Sequence, residues 1–234
     1  NFTNSILIGH ATTGTLNAAE KNTGVGVEAL DALTSGDSNT AVGYQSATAL
    51  TTGGNNTAIG ETSLFTNSTG SANTAMGHQS LYAVANGSSN TAVGRVSLGA
   101  VNSGDFNIGI GKSAGNNITS GSGNVIIGGD TDADSATGDR QLKISGNDGS
   151  TATTWISGDS SGNLTFAGDV TVGDDLVLGT DAAVLKFGAD SEVTLTHVAD
   201  DGLLLNTDMQ LQFRDSAINI RSDDDGDLDI NADD

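Results

Sequence analysis

Asn39-Thr40-Ala41-Val42-Gly43 returns as Asn56-Thr57-Ala58-Ile59-Gly60, as Asn73-Thr74-Ala75-Met76-Gly77 and as Asn90-Thr91-Ala92-Val93-Gly94, each copy 17 residues after the last. Looser copies begin at Asn22, Asn107 and Asn124 and close on Gly26, Gly111 and Gly128, and Ser5 with Gly9 marks a degenerate first copy. A fixed period near 20 residues means one short supersecondary unit repeated, each copy burying its apolar face only against its neighbours. The expected fold is all-β, a β-solenoid or parallel β-roll, and function is to be sought along a rod.

Set in register, the copies form columns. The fourth holds Ile8, Val25, Val42, Ile59, Met76, Val93, Ile110 and Ile127, and two positions earlier stand Ile6, Thr23, Thr40, Thr57, Thr74, Thr91, Ile108 and Val125. Spacing by two is strand spacing, which puts both columns on one face. Large apolar residues in every copy predict that this face is buried, with the small Ala or Gly between them facing a close neighbour. A second stripe, Leu30 with Leu33, Leu64, Leu81 with Val84, and Leu98 with Val101, is spaced by three and predicts an opposite wall made of a tight helical turn or a bent strand. Gly36, Gly53, Gly70, Gly87, Gly104 and Gly121 supply a second corner, where glycine reaches positive φ without steric cost. Stacked at the inter-strand spacing of about 4.8 Å, eight such coils make a rod roughly 40 Å long. The aligned asparagines are expected to cap turns and to bond to one another as an amide ladder.

The chain has 234 residues, 33 glycines, no proline, no cysteine and 4% aromatic residues, which suits a narrow solenoid better than a thick globular core. Without cysteine there is neither a disulfide framework nor a thiolate metal site. The net charge of −21 is uneven: residues 1–129 carry six acidic and three basic residues, and 130–234 carry 23 acidic and five basic. That balance argues against nucleic acid and anionic membranes as partners. No signal peptide or membrane-spanning run is encoded, and the opening at Asn1 reads as a piece of something longer. The organisation expected is a repeat solenoid over 1–128, a Gly/Ser/Asp-rich junction over 129–162, and an acidic β-strand shaft over 163–234.

In that last part apolar residues alternate in short runs: Leu164 and Phe166, Val170 and Val172, Leu176 and Leu178, Val193 and Leu195, Met209 with Leu211 and Phe213, Ile218 and Ile220, Leu228 and Ile230. These are half-buried strands at roughly ten-residue intervals. Strands this short cannot close a core within one narrow chain, so a homotrimer is expected.

Chemistry is sparse. Asp130, Asp132 and Asp134, the run Asp223, Asp225, Asp227 and Asp229, and the pair Asp200 with Asp201 invite a calcium reading, since alternate aspartates can present carboxylates to one hard cation. The first group has Ser135 and Gln141 where an EF-hand loop has Gly and Glu, and solvated acidic turns are the plainer reading; no cofactor is expected. His10 and His78 share a column with Val27, Tyr44, Glu61, Arg95 and Lys112, and a column tolerating all of these is free surface. No serine stands on a sharp nucleophile turn, and a non-enzymatic protein is expected. Tyr44, Phe65, His78, Tyr82, Arg95 and Lys112 map the surface where contact with a host glycan could occur.

The Asn-Thr-Ala-Val-Gly motif with glycine corners resembles the head repeats of trimeric autotransporter adhesins, which are left-handed parallel β-rolls packed as trimers. The 17-residue spacing is more similar to repeats in phage tail fibres, and the stretch Val184 to Asp229, with Leu-Lys-Phe-Gly-Ala-Asp and Met-Gln-Leu-Gln-Phe-Arg-Asp-Ser-Ala-Ile, resembles tail-fibre shafts. This resemblance implies a homotrimeric appendage on a virion tail or other extracellular surface, in contact with other virion or appendage proteins and with a host, often followed by a self-cleaving chaperone domain. It carries over no catalytic residue. A bacterial surface adhesin or filament subunit, an ice-binding solenoid built on the threonine rank, and a polysaccharide-degrading enzyme stand as alternatives.

Overall fold

The computed structural model describes residues 5–9, 19–174, 176–179, 184–187, 193–198, 202–205, 211–212, 219–222 and 228–231. They contain seventeen strands and no helix. Two compact units divide the chain, Asn1–Val170 and Thr171–Asp234.

The first unit is the solenoid. Its three-residue strands β1 (Ile6–Ile8), β2 (Thr23–Val25), β3 (Thr40–Val42), β4 (Thr57–Ile59), β5 (Thr74–Met76), β6 (Thr91–Val93), β7 (Ile108–Ile110) and β8 (Val125–Ile127) pair in parallel, each with the next coil's equivalent. The register is unbroken, so Val42 lies beside Ile59 and Ile59 beside Met76. Coil-to-coil hydrogen bonds continue around the loop: the Thr40 N–H donates to Asn56 O at 2.8 Å and the Leu64 N–H to Ser80 O at 3.0 Å. The wall carrying the leucines is a series of turns rather than a helix or a second strand.

The two strand faces are the reverse of the expectation. Ala41, Ala58, Ala75 and Ala92 are wholly buried, whereas Val42, Ile59, Met76 and Val93 are 36%, 38%, 42% and 37% exposed and the flanking threonines are half-buried. The coil is too narrow for large residues from both walls. Leu30, Leu64, Leu81 and Leu98 fill it from the turn wall, where the strand wall offers only Gly24 or an alanine; where the turn wall has Gly115 instead, Ile126 stands inward and is wholly buried. At Gly109, where even the methyl is missing, an added Cβ would stand 2.7 Å from Leu98 Cγ.

Both glycine columns are places of close backbone approach, and only one needs positive φ. Gly43, Gly60, Gly77 and Gly94 adopt φ of 136°, 132°, 139° and 128°, and a Cβ on Gly77 would meet Gly94 O at 2.5 Å. Gly36, Gly53, Gly70 and Gly87 have no positive φ; a Cβ there would strike the backbone carbonyl of the next coil. Positive φ is met instead by ordinary residues. The column Glu28, Gln45, Thr62, Gln79, Val96 and Ser113 lies between 50° and 59°, and Ser38, Asn55, Ala72, Ser89 and Phe106 lie between 59° and 61°. Side chains cost roughly 1–2 kcal/mol each in that region, a load that the coil-to-coil bonds must offset.

The motif ends at Gly128, yet the coil path goes one rung further. Gln141 takes the asparagine column, its N–H donating to Asn124 Oδ1 at 2.8 Å, and β9 (Leu142–Asn147) pairs in parallel with β8. In the inward column stands Lys143, bonded to Asp134 at 2.6 Å, in place of an alanine. The chain then reverses into β10 (Ala152–Gly158) and β11 (Leu164–Phe166), both antiparallel, giving one eleven-stranded sheet.

The second unit holds two three-stranded antiparallel sheets, β12 (Val184–Phe187), β13 (Val193–Val198) and β14 (Gly202–Leu205), then β15 (Leu211–Gln212), β16 (Asn219–Ser222) and β17 (Leu228–Asn231). Val170, Val172, Leu176 and Leu178 were expected in strands but lie outside any, since no neighbouring strand pairs with them.

Candidate functional site: the strand face and its borders

Because adjacent strands are in register, the outward residues form continuous ladders. One runs Ile8, Val25, Val42, Ile59, Met76, Val93, Ile110, Ile127 and Ile144 through parallel pairs, then to Ile156 and Phe166 across the antiparallel ones. Its companion runs from Ile6 through Thr23, Thr40, Thr57, Thr74 and Thr91 to Ile108, Val125 and Leu142, then Gly158 and Leu164. None of these residues is charged, in a chain of net charge −21. Trp155, 56% exposed at an irregularity in β10, lies over Gly146, where a Cβ would meet the indole. Of the main ladder, Ile8, Val42, Ile59, Met76, Val93, Ile110 and Phe166 are exposed.

The asparagine column lies inside the coil and has a structural role. Asn22, Asn39, Asn56, Asn73, Asn90, Asn107 and Asn124 are at most 1% exposed. Each Oδ1 up to Asn107 accepts from the next asparagine's N–H and Nδ2, as Asn39 Oδ1 does from Asn56 at 2.9 and 3.0 Å, and that of Asn124 accepts from Gln141; each Nδ2 also donates to a glycine carbonyl 14 residues on, Asn56 to Gly70 at 3.0 Å. The ladder thus closes every coil and ties it to the next. A buried serine column was missed in the sequence, although Ser46, Ser63, Ser80 and Ser97 keep the 17-residue spacing. Ser46 and Ser97 donate to Ala58 O and Gly109 O, and Ser63 and Ser80 to Gly60 O and Gly77 O, all at 2.9 Å.

The candidate surface residues divide into two groups. Tyr44, His78, Arg95 and Lys112 follow the corner glycine; all are exposed except His78, whose Nδ1 is shut from solvent without a partner. Lys112 Nζ donates to Asp130 Oδ2 at 2.9 Å, and that bond holds the Asp130 carboxyl below the usual range. On the turn wall, Phe65 and Tyr82 stack with centroids 5.1 Å apart and planes within 2°. The ladder of rings stops there because the next position in that column is Gly99.

The first aspartate group is not brought together. Asp130 is engaged by Lys112, Asp134 by Lys143, and Asp132 is exposed; among the described residues no three His, Asp or Glu converge as a metal site. A groove of about 340 Å³ beside it is lined by Asp134, Asp139 and Asp159 with Ser157, Ser160 and Asn163. Asp159 accepts from Asn163 Nδ2 at 2.8 Å and from the Ser161 and Asn163 amides, and these bonds lower its pKa. His10, Asp200, Asp201, Asp223, Asp225 and Asp227 lie outside the described residues, as does the side chain of Asp229. No described helix is long and apolar enough to cross a membrane. The chain matches no protein-family model, no curated protein and no solved structure.

Proposed function

We propose that this chain is a non-enzymatic structural segment of an extended homotrimeric appendage, most like a phage tail fibre, that spaces or presents a host-attachment surface. The carrying observation is the outward ladder. The coils of β3 to β6 put Val42, Ile59, Met76 and Val93 outside and Ala41, Ala58, Ala75 and Ala92 inside, a choice that gains nothing for a lone chain and gains burial when copies meet. Repetition supplies length, and the charge on the rest of the chain keeps the particle soluble. The stacked Phe65–Tyr82 pair and exposed Tyr44 remain outside that face as candidates for stacking on a host sugar. Native mass measurement tests the assembly: three chains are expected, and a monomer at micromolar concentration overturns it. Competition by the purified protein against adsorption of a phage carrying it tests the attachment role. A cellular adhesin or filament subunit shares this architecture, and tail and baseplate genes beside the coding sequence separate the two.

A second reading rests on one observation. Thr23, Thr40, Thr57, Thr74 and Thr91 stand in register on the outward face, a flat rank at the inter-strand spacing that suits an ordered water lattice. Thermal hysteresis from a monomeric preparation would favour an ice-binding role; its absence leaves the appendage reading.

A further inference from the structure

Trp155 is the chain's single tryptophan, and the hairpin of β9 and β10 holds its indole flat and open. The irregularity between Thr154 and Ile156 takes it out of the regular strand pairing, while its backbone is fixed: the Ala167 N–H donates to Trp155 O at 3.0 Å, and Ser145 Oγ to Thr154 Oγ1 at 3.0 Å. The six-membered ring lies across Gly146, where a Cβ would stand 2.7 Å from Cη2 and 3.2 Å from Cε2. An open groove of about 550 Å³ surrounds the ring and is lined by Gly146, Asn147, Asp148, Thr151 and Thr153 as well as the indole. Its polar groups are held in place. Asp148 Oδ1 accepts from the Ser150 and Thr151 amides at 2.9 and 2.8 Å, Asn147 Oδ1 from the Gly149 amide at 2.7 Å, and Asn147 Nδ2 donates to Gly129 O at 3.1 Å. Asp148 Oδ2 accepts from no other residue among the described ones, and the Thr151 and Thr153 hydroxyls bond to none of them.

We infer that this groove is a binding site for a neutral pyranose, with the sugar's C–H face on the indole of Trp155 and its hydroxyls on Asp148 and the threonines. The face of an aromatic ring is electron-rich and attracts the polarised C–H bonds of a sugar, and contact removes water from both surfaces. A pyranose is apolar on one face and ringed by hydroxyls, so it needs a flat aromatic floor with a few fixed polar groups at the edge. The carboxylate supplies the strongest of these, since a hydrogen bond to a charged acceptor exceeds one between neutral groups. The Thr151 amide, and then that of Ser150, hold the Asp148 carboxyl below its usual range, so it is ionised at neutral pH. That charge, in a chain of −21, turns away sialic and uronic acids. A wholly apolar partner would cover the indole but leave the carboxylate desolvated without a donor. The attachment role proposed above gives the site its use, and repetition on every copy of an appendage multiplies a weak contact. Binding itself needs neither.

The single tryptophan is also the reporter. The full chain is titrated with the methyl glycosides of glucose, galactose, mannose and N-acetylglucosamine and with N-acetylneuraminic acid, following indole emission and its quenching by acrylamide at two protein concentrations. A saturable blue shift with loss of quenching is expected from at least one neutral glycoside, and no change from the acid. By ligand-observed NMR, Trp155→Ala should weaken binding at least about tenfold, as removal of a central aromatic anchor does. Gly146→Ala, whose methyl displaces the ring, and Asp148→Asn, which keeps an acceptor for the two amides but gives up the carboxylate, should each weaken it severalfold with circular dichroism unchanged. Tyr82→Ala should bind as the parent does. No response to any neutral glycoside, or an equal one from Trp155→Ala, overturns the site and leaves the attachment role to adsorption competition. Equal binding of the acid overturns the choice of a neutral sugar. An indole protected by raised protein concentration alone is a contact between copies, and that also overturns the site.

Discussion

Asn73 Nδ2 donates to Asn56 Oδ1 at 3.2 Å and to Gly87 O at 2.9 Å, so one buried amide joins two coils and closes its own. Truncation cannot be compensated by water, because Asn73 is fully buried. Asn73→Ala leaves the Asn90 N–H and the Gly87 carbonyl without partners and takes from Asn90 Nδ2 one of its two acceptors, the other being Gly104 O. Each buried orphan costs about 1–3 kcal/mol, so a loss of roughly 3 kcal/mol or more is expected in urea unfolding. Asn73→Asp should be at least as damaging near neutral pH, since it retains the acceptor but loses the donor to Gly87 and adds a buried charge.

The corner glycines make an opposed pair of predictions with positions that lack glycine. Gly77→Ala places a methyl 2.5 Å from Gly94 O at a φ of 139°, and about 3 kcal/mol or more should be lost. Ala72, by contrast, is exposed and sits at φ 59°. Ala72→Gly relieves strain of roughly 1–2 kcal/mol and returns about 0.5–1 in unfolded-chain entropy, so stability should rise slightly. A fall in Tm for Ala72→Gly would show that these turns carry no strain.

Acid should loosen the hairpins before the coils. Asp148 accepts from the Thr151 amide at 2.8 Å and the Ser150 amide at 2.9 Å, chiefly the former lowering its pKa, and Asp159 is lowered by Asn163 and nearby amides. A carboxyl depressed in the folded state contributes stability that is full above its unfolded pKa, about 3.9, and is lost as pH falls through the folded value. The asparagine amides do not titrate there. Amide resonances of Thr151 and Asn163 should therefore move toward unfolded positions below about pH 3.9, with those of Asn56 and Asn73 unmoved. Coincident changes would mean that the hairpins and coils unfold as one.

How far the sequence could be read is set by how many solutions each position admits. Asparagine offers on a short arm an acceptor for two donors of the next coil and a donor for its own, and only glycine fits where a backbone carbonyl of the next coil occupies the Cβ position, so those columns were legible as stacking constraints. Alternation was legible as a strand, but a period of two says that two faces exist without saying which is inside. Size misled the assignment: Ile59 is larger than Ala58, yet the inside of their coil is already filled by Leu64. Gln141 disguised the further coil because glutamine reaches the same Asn124 Oδ1 at 3.1 Å through a longer arm. The Phe65–Tyr82 stack was visible only as two isolated aromatics until the coils were superposed.

The reversal of the faces yields the sharpest comparison. Ala58 is wholly buried between its strand neighbours and the leucine wall, whereas Ile59, one residue on, is 38% exposed. Ala58→Asp puts a carboxylate into a space that holds a methyl, and the coil should not form. Ala58→Leu should also fail, because overpacking a close-packed interior costs about 1–3 kcal/mol or more for each large intrusion. Ile59→Asp and Ile59→Ser should leave the unfolding transition of a single chain within about 1 kcal/mol of the parent, the range of exposed-site changes, with any effect confined to the concentration-dependent part of Tm. Circular dichroism melts of the four variants at two protein concentrations decide it. If Ile59→Ser unfolds the coil at every concentration while Ala58→Leu is tolerated, the large column is the inside one after all.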